Sequence, residues 1–368
     1  MNHKPFEVSP PFLENPPPTD NYQAKVWHFC NQWQQGQQNF VIRTSGSTGT
    51  PKPITLQRTQ LQASAKLTGT TFGLQKGDAA LVCLHVDYIA GMMMLVRGLE
   101  LGLKLTVIEP SSNPLEDFDN TVAFDFMAFV PLQIQQILTE NPEKVQILNR
   151  AKAILIGGAG VSHPLHQQLQ AIQAPVVATY GMTETVSHIA IRYLNGPHQQ
   201  DVFTVLEGVT IGTDARNCLY IEAESTNFER VQTNDVVELL DSQAFRLIGR
   251  FDNIINSGGV KIQLEKVENS LSNVLAMHRR SERFFAFGEP DPTLGERLVV
   301  FIETSTRWDD ALKTQIQADL LKFLNRFEQP KDFYFCRNFL ETPTGKIDKK
   351  ATFAQKHTLF THEYLTSK

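Results

Sequence analysis

The chain is organised around Thr44-Ser-Gly-Ser-Thr-Gly-Thr-Pro-Lys52, which follows the short apolar run Phe40-Val41-Ile42. Glycine lets a backbone take left-handed dihedrals and approach a ligand closely. Successive backbone N–H groups in such a turn form a concave anion nest, and the hydroxyls of Ser45, Ser47 and Thr48 add donors. Lys52 supplies a point charge. Thr44, Ser45, Gly46, Ser47, Thr48, Gly49 and Lys52 together therefore read as a phosphate cradle. The same composition also reads as a solvated linker, because a glycine-rich match needs structural context. It is not the P-loop of nucleoside triphosphatases, which needs Gly-Lys followed by Ser or Thr; here Thr50 and Pro51 separate Gly49 from Lys52.

At 368 residues the chain is too long for one compact core and predicts two or three domains. A net charge of -5 and the absence of a Lys/Arg block argue against nucleic-acid binding. The four cysteines, Cys30, Cys83, Cys218 and Cys336, are scattered without a CxxC pair and read as reduced thiols. The N-terminus has no apolar signal core, and no run reaches the length of a membrane span. The expectation is a cytoplasmic protein without a membrane span; a homodimer is compatible with it.

Apolar strands alternate with amphipathic helices from residue 79 to residue 180. Strands are expected at 79–86, 103–108, 122–130, 152–156 and 175–180, with helices at 60–74, 89–101, 131–139 and 163–172. That alternation implies mostly parallel sheet covered by helices, an α/β fold. After Glu184 the texture changes to short alternating strands at 218–224, 236–240 and 244–248, an antiparallel, barrel-like region. A third texture, near Asp252, predicts a small α+β domain. The expected boundaries are 1–251 for a large N-terminal domain and 252–368 for a small mobile one.

Four more stretches place polar groups in turns. Each comes just after a predicted strand, where α/β folds place ligands. Ile156-Gly-Gly-Ala-Gly160 offers bare backbone at Gly157, Gly158 and Ala159 for a flat ring, or is a plain strand-to-helix turn. Tyr180-Gly-Met-Thr-Glu-Thr185 brings together an aromatic, a hydroxyl and a carboxylate, or is an N-capping Thr with an acid in the first turn. Gly249-Arg-Phe-Asp-Asn-Ile-Ile-Asn-Ser-Gly-Gly-Val-Lys261 carries Arg250 and Asp252 at the border of the third region, where a bland linker is the alternative. Glu341-Thr-Pro-Thr-Gly-Lys-Ile-Asp348 presents Lys346 in a turn, where a solvated lysine is the ordinary reading.

Taken in order, TSGSTGTPK, GGAG, YGMTET, Thr233-Asn-Asp235, GRFDNIINSGG and PTGK resemble the adenylate-forming superfamily of acyl-CoA synthetases. The resemblance runs from about residue 40 to residue 352. It implies a ligase that joins a carboxylate to AMP from ATP with Mg²⁺ and then passes the acyl group to CoA. The SGG variant followed by Val-Lys-Ile-Gln and Val267-Glu268 looks like the o-succinylbenzoate–CoA ligases of menaquinone biosynthesis. Another aryl or fatty acid–CoA ligase, and a non-catalytic nucleotide-binding relic, are the alternatives.

By position, the resemblance implies that residues 45–52 hold the β- and γ-phosphates and that Gly158, Ala159 and Tyr180 sandwich adenine. Thr183 would meet the α-phosphate, Glu184 the Mg²⁺ and Asp235 the ribose, with Arg250 beside it. Asp252 would be the hinge, and Lys346 the bridge between the reacting carboxylate and the α-phosphate. Only 43 residues precede the cradle, which implies a shortened first subdomain. The usual Thr-Gly-Asp reads Thr233-Asn-Asp235, and Tyr88 stands where many relatives carry histidine near the acyl pocket. A substrate with two carboxylates needs a counter-charge for the one not activated. His188 and Arg192 are the candidates, with Arg97 a weaker one.

Overall fold

The computed structural model describes residues 5–8, 14, 16–43, 53–341 and 347–355. Fourteen strands form its first part: β1 (Phe6–Val8), β2 (Asn39–Arg43), β3 (Pro53–Gln57), β4 (Ala79–Val82), β5 (Lys104–Val107), β6 (Phe126–Phe129), β7 (Ala153–Ile156), β8 (Val176–Gly181), β9 (His188–Tyr193), β10 (Phe203–Val205), β11 (Thr210–Thr213), β12 (Cys218–Glu222), β13 (Val231–Leu239) and β14 (Ala244–Arg250). All but β2 and β3 join one sheet in the order β1-β5-β4-β6-β7-β8-β9-β10-β14-β13-β12-β11. The block β5-β4-β6-β7-β8 is parallel. Every pairing from β8 to β9 onward is antiparallel.

Helices account for the parallel block. In chain order they are α1 (Asn21–Gln34), α2 (Arg58–Phe72), α3 (Ile89–Leu101), α4 (Pro131–Glu140), the single turn α5 (Val145–Leu148) and α6 (His163–Gln168). Both faces of the central strands are covered, so their residues need no polar alternation. All four residues of β6 and all four of β7 are buried. Burying a side chain such as Phe126 or Phe129 contributes about 1.5–3 kcal/mol each.

The sequence places the helices and parallel strands within a few residues, but the antiparallel half differs from expectation in detail. The strands expected after Glu184 continue the same sheet, and β9, β10 and β11 were not anticipated. Their runs are short, and β9 is apolar on both faces, so it shows no period-two signal.

The hairpin β2–β3 stands apart, pairing Arg43 with Pro53 and so closing the two ends of the Thr44–Lys52 stretch. Its apolar face shares a small core with Trp33, Met92, Met93, Val96 and Val186. Val186 belongs to the turn after β8, so the hairpin is packed directly against that turn.

One 3-10 turn, Phe251–Asn253, connects β14 to a second sheet. This contains β15 (Ile254–Ser257), β16 (Val260–Gln263), β17 (Arg283–Asp291), β18 (Gly295–Glu303) and β19 (Asp332–Cys336), in the order β16-β15-β18-β17 with β19 on β18. Helices α7 (Leu264–Met277) and α8 (Asp310–Leu320) cover one face around Val267, Leu271, Val300 and Ile316, and a short α9 (Lys349–Ala354) follows. This core shares no residue with that of the first sheet. Across the turn, Asn253 Nδ2 donates to Glu265 Oε1 at 2.6 Å. All four cysteines are free and buried. Among the described residues no helix is long and apolar enough to cross a membrane.

Candidate active site

The loops of interest leave the carboxyl ends of two adjacent parallel strands. Strand β7 ends at Ile156, which pairs with Ala178 of β8. The backbone at Gly157–Ala159 therefore lies beside the turn that follows Tyr180. Gly157 is needed there, because an added Cβ would sit 2.6 Å from Thr179 Oγ1. Gly158 and Ala159 are exposed.

Tyr180 is only 7% exposed. Its ring packs at 5.7 Å from Phe203 and edge-on at 5.1 Å from Phe245. Its hydroxyl donates to Asp235 Oδ2 at 2.6 Å. Burial, reinforced by the Asp235 carboxylate, pushes the phenol well above its ordinary range, so it stays a donor. Asp235 faces Arg250 across the β13–β14 ladder. Arg250 Nη1 lies 3.5 Å from Asp235 Oδ1, while its Nε and Nη2 grip both oxygens of Asp252 at 2.8 and 2.7 Å. That fork lowers the Asp252 carboxyl. The sequence expectation that Arg250 stands beside Asp235 corresponds to this geometry. The Tyr180 ring, expected to sandwich adenine with Gly158 and Ala159, is mostly enclosed, and its hydroxyl braces the acid.

After β8 the chain turns through a 3-10 segment, Thr183–Thr185. Gly181 is obligatory, because a Cβ there would collide with the Ser187 carbonyl oxygen and with His188 Cα. The Thr185 hydroxyl accepts from the Met182 N–H at 3.0 Å and lies 2.8 Å from the Ser187 carbonyl oxygen. Val186 is held at φ 68°, an outlier for a β-branched residue and a mark of stored local strain. Thr183 is half-buried and Glu184 exposed. Glu184 makes no hydrogen bond or ion pair with the described residues, which also contain no group of three metal-ligating side chains.

The expected acyl-pocket residues divide. A register shift at Tyr180/Gly181 inserts one extra residue into β9, with Ala190 opposite Tyr180 and His188 opposite Gly181. A bulge of this kind reverses which face the following side chains occupy. His188 consequently meets Phe72 of α2 at 6.1 Å, whereas Arg192 lies over Phe203 at 5.3 Å. The two candidates for the counter-charge therefore lie apart, on different faces of β9. Tyr88 caps α3, with its ring edge-on to His85.

Arg97, the weaker sequence candidate, is 2% exposed on α3. Its Nε donates to Thr68 Oγ1 at 3.2 Å and its Nη2 to Ser187 Oγ at 2.7 Å. No carboxylate among the described residues pairs with it. Glu100, one turn on, is occupied by Trp33 Nε1 and Gln62 Nε2, each at 3.0 Å. Burial brings the Arg97 pKa down to about 10. Ser187 and Thr68 were missed from the sequence. Arg97 itself had a usable signal, a lone cation directly after Met92-Met-Met-Leu-Val96, where a helix buries its apolar residues. Thr44, Ser45, Gly46, Ser47, Thr48, Gly49, Lys52 and Lys346 lie outside the described residues.

Parallel strands with two candidate ligand loops at their carboxyl ends, and an acid held within the antiparallel extension, are the frame of an α/β enzyme. The profile of the AMP-binding enzyme family matches residues 11–214, more than half of the chain. The chain belongs to that family and is an enzyme of the acid–thiol ligase class.

Three similarities illustrate the relationship. An acyl-CoA synthetase (AMP-forming)/AMP-acid ligase II-like protein from Dyadobacter fermentans is 44% identical, over 96% of this chain and 100% of its own, with a TM-score of 0.64. The 2-succinylbenzoate–CoA ligase of Enterococcus faecalis is 25% identical over 353 residues, covering 87% of this chain and 70% of its own. The fold also matches the O-succinylbenzoate coenzyme A synthetase of Bacillus subtilis, solved with ATP and magnesium, at 18% identity, 85% and 69% coverage and a TM-score of 0.68.

Proposed function

We propose that this chain is an ATP-dependent acid–CoA ligase that works through an acyl-adenylate and takes o-succinylbenzoate, an aromatic dicarboxylate. This reading belongs with menaquinone biosynthesis in the cytoplasm. The observation that carries the choice of acid is Arg97. A guanidinium buried to 2% exposure without a carboxylate is costly, and an anionic ligand group would offset that cost. A second carboxylate on the acid supplies that group. Arg97 takes this role in place of Arg192, which lies over Phe203 on the other face of β9 and has Asp201 acting on it.

Adenylation brings a carboxylate oxygen onto the α-phosphorus while pyrophosphate leaves, so two anions must be held together. Catalysis is then mainly positioning and charge stabilisation. Gly157, Gly158 and Ala159 present backbone to the adenine. Asp235, fixed by Tyr180 and Arg250, accepts from the ribose hydroxyls. Thr183 meets the α-phosphate. Glu184, exposed and without a partner, fits Mg²⁺, which takes one or two carboxylates together with phosphate oxygens; bound there it would neutralise developing charge. The residues of the 44–52 loop hold the departing phosphates, and the β2–β3 stem on either side of them packs against Val186. Lys346 bridges carboxylate and α-phosphate. Asp252 is the hinge between an N-terminal domain, 1–251, and a C-terminal lid, 252–368, and rotation there withdraws Lys346 so that the CoA thiol reaches the adenylate.

Pyrophosphate release with ATP and CoA over a panel of aryl, fatty and dicarboxylic acids tests the reading. Acid-dependent release that is greatest with o-succinylbenzoate is expected, and release greatest with a monocarboxylic acid contradicts the choice of substrate. Lys346→Ala should abolish adenylation while leaving thioester formation from preformed acyl-adenylate largely intact. Equal loss of both half-reactions contradicts the two-conformation scheme.

A further inference from the structure

The Arg97 cluster contains a second group whose hydrogen bonding is incomplete. Ser187 Oγ lies 2.7 Å from Arg97 Nη2 and 3.2 Å from His188 Nδ1. A guanidinium has only donors, so the hydroxyl accepts from Arg97. With the ring proton on Nε2, that hydroxyl gives its own proton to His188 Nδ1. A neutral imidazole that accepts at Nδ1 carries its own proton on Nε2.

That Nε2 is buried and has no hydrogen-bond partner among the described residues. Burial, with the positive Arg97 adding to it, pushes the His188 pKa down to about 3, so the ring is neutral at physiological pH. Among the described residues, Arg97 is the charged group that acts on this ring. Buried polar groups in folded proteins are almost always partnered, and an orphan donor points to a group still to arrive. The bulge in β9 is what turns this donor away from Arg192 and onto the Arg97 side of the sheet.

We propose that Arg97, Ser187 and His188 form one carboxylate-binding site, in which His188 donates from Nε2, as a neutral group, to the same substrate carboxylate that Arg97 neutralises. This rests on the dicarboxylate reading above. The charge balance favours it: one guanidinium cancels one carboxylate, and a protonated imidazole would leave a buried positive charge in excess. A neutral donor adds a hydrogen bond and directional selectivity without that cost. It also makes recognition of the second carboxylate independent of histidine protonation.

The test is the ratio of kcat/KM for o-succinylbenzoate to that for an analogue lacking the second carboxylate, read by pyrophosphate release. His188→Phe keeps a ring without a donor, and the ratio should fall about tenfold or more. His188→Gln keeps an amide donor and should recover most of it. Ser187→Ala removes the hydroxyl that fixes the tautomer and should give an intermediate loss; it carries the test if His188→Phe does not fold. In the wild type the ratio should stay flat from about pH 5.5 to 8, well above the depressed histidine pKa.

A wild-type preference for the dicarboxylate that survives in both His188→Phe and Ser187→Ala overturns this inference alone. So does a wild-type ratio that drops as pH rises through about 6.5, which would require an ionised ring. A wild type with no preference for the second carboxylate overturns the substrate reading and this inference with it, and is recognised before any variant is made.

Discussion

Two buried polar clusters flank the turn after β8, and they are built on opposite principles. Around Asp235 the bonding is closed: Tyr180 and Arg250 both address the carboxylate, and Arg250 is anchored by Asp252. Around Arg97 it is open: among the described residues, a cation without an acid and a histidine nitrogen without a partner. The closed cluster holds its acid in one position before any ligand comes, which suits the constant ribose of a nucleotide. The open cluster is completed only by the ligand, which suits selection among acids. A site that recognises by leaving its own groups unpaired rejects molecules lacking the matching group, because they leave those groups unpaired still.

The contrast can be broken from either side. Asp235→Ala should have the largest effect, lowering kcat/KM for ATP about a hundredfold through lost ribose bonding. It should also cost about 1–3 kcal/mol of stability, because the buried Tyr180 hydroxyl is left without its acceptor. Normal use of ATP by this variant would remove Asp235 from the nucleotide site. Arg97→Met should behave in the opposite way in a thermal melt. Replacing a buried, unneutralised cation by an apolar side chain should leave Tm unchanged or raise it, by the equivalent of about 1 kcal/mol. A Tm that falls as far as in Asp235→Ala would mean that Arg97 is structural.

Acid titration gives the smallest and sharpest difference. The His188 pKa falls from 6.5 to about 3 on folding, so the unfolded chain takes up its proton first as pH drops. The stability linked to this group is fully present above pH 6.5 and is lost progressively towards about pH 3. Asp252, whose carboxyl is lowered by Arg250, contributes only as pH falls below the ordinary carboxylate range. The fall in Tm between about pH 6.5 and 4.5 should therefore shrink in His188→Gln. An unchanged slope would show that His188 protonates freely in the folded protein.

Much of the closed cluster was legible in the sequence, because its members lie in motifs whose spacing survives by itself. Tyr180 ends a strand of clear apolar character, and Asp235 and Arg250 sit in recognisable stretches. The open cluster was harder. Arg97 looks like the partner of Glu100 one turn away, and only the fold shows that Trp33 and Gln62 already hold that carboxylate. Nor does the sequence reveal which way His188 points, since one inserted residue in β9 reverses it and a bulge leaves no mark in an apolar strand. Thr68 and Ser187 carry ordinary hydroxyls, and their importance comes from partners at least 29 residues distant in the chain. Local pattern gives the strand ends; long-range pairing decides which polar groups remain unsatisfied there.

The central claim is that an unpaired buried guanidinium selects the acid. Its most direct test compares wild type and Arg97→Met by the ratio of kcat/KM for o-succinylbenzoate to that for an analogue lacking the second carboxylate. A collapse of that ratio by about a hundredfold, in a variant that melts no lower than wild type, is the predicted result. A ratio unchanged by the substitution would contradict it.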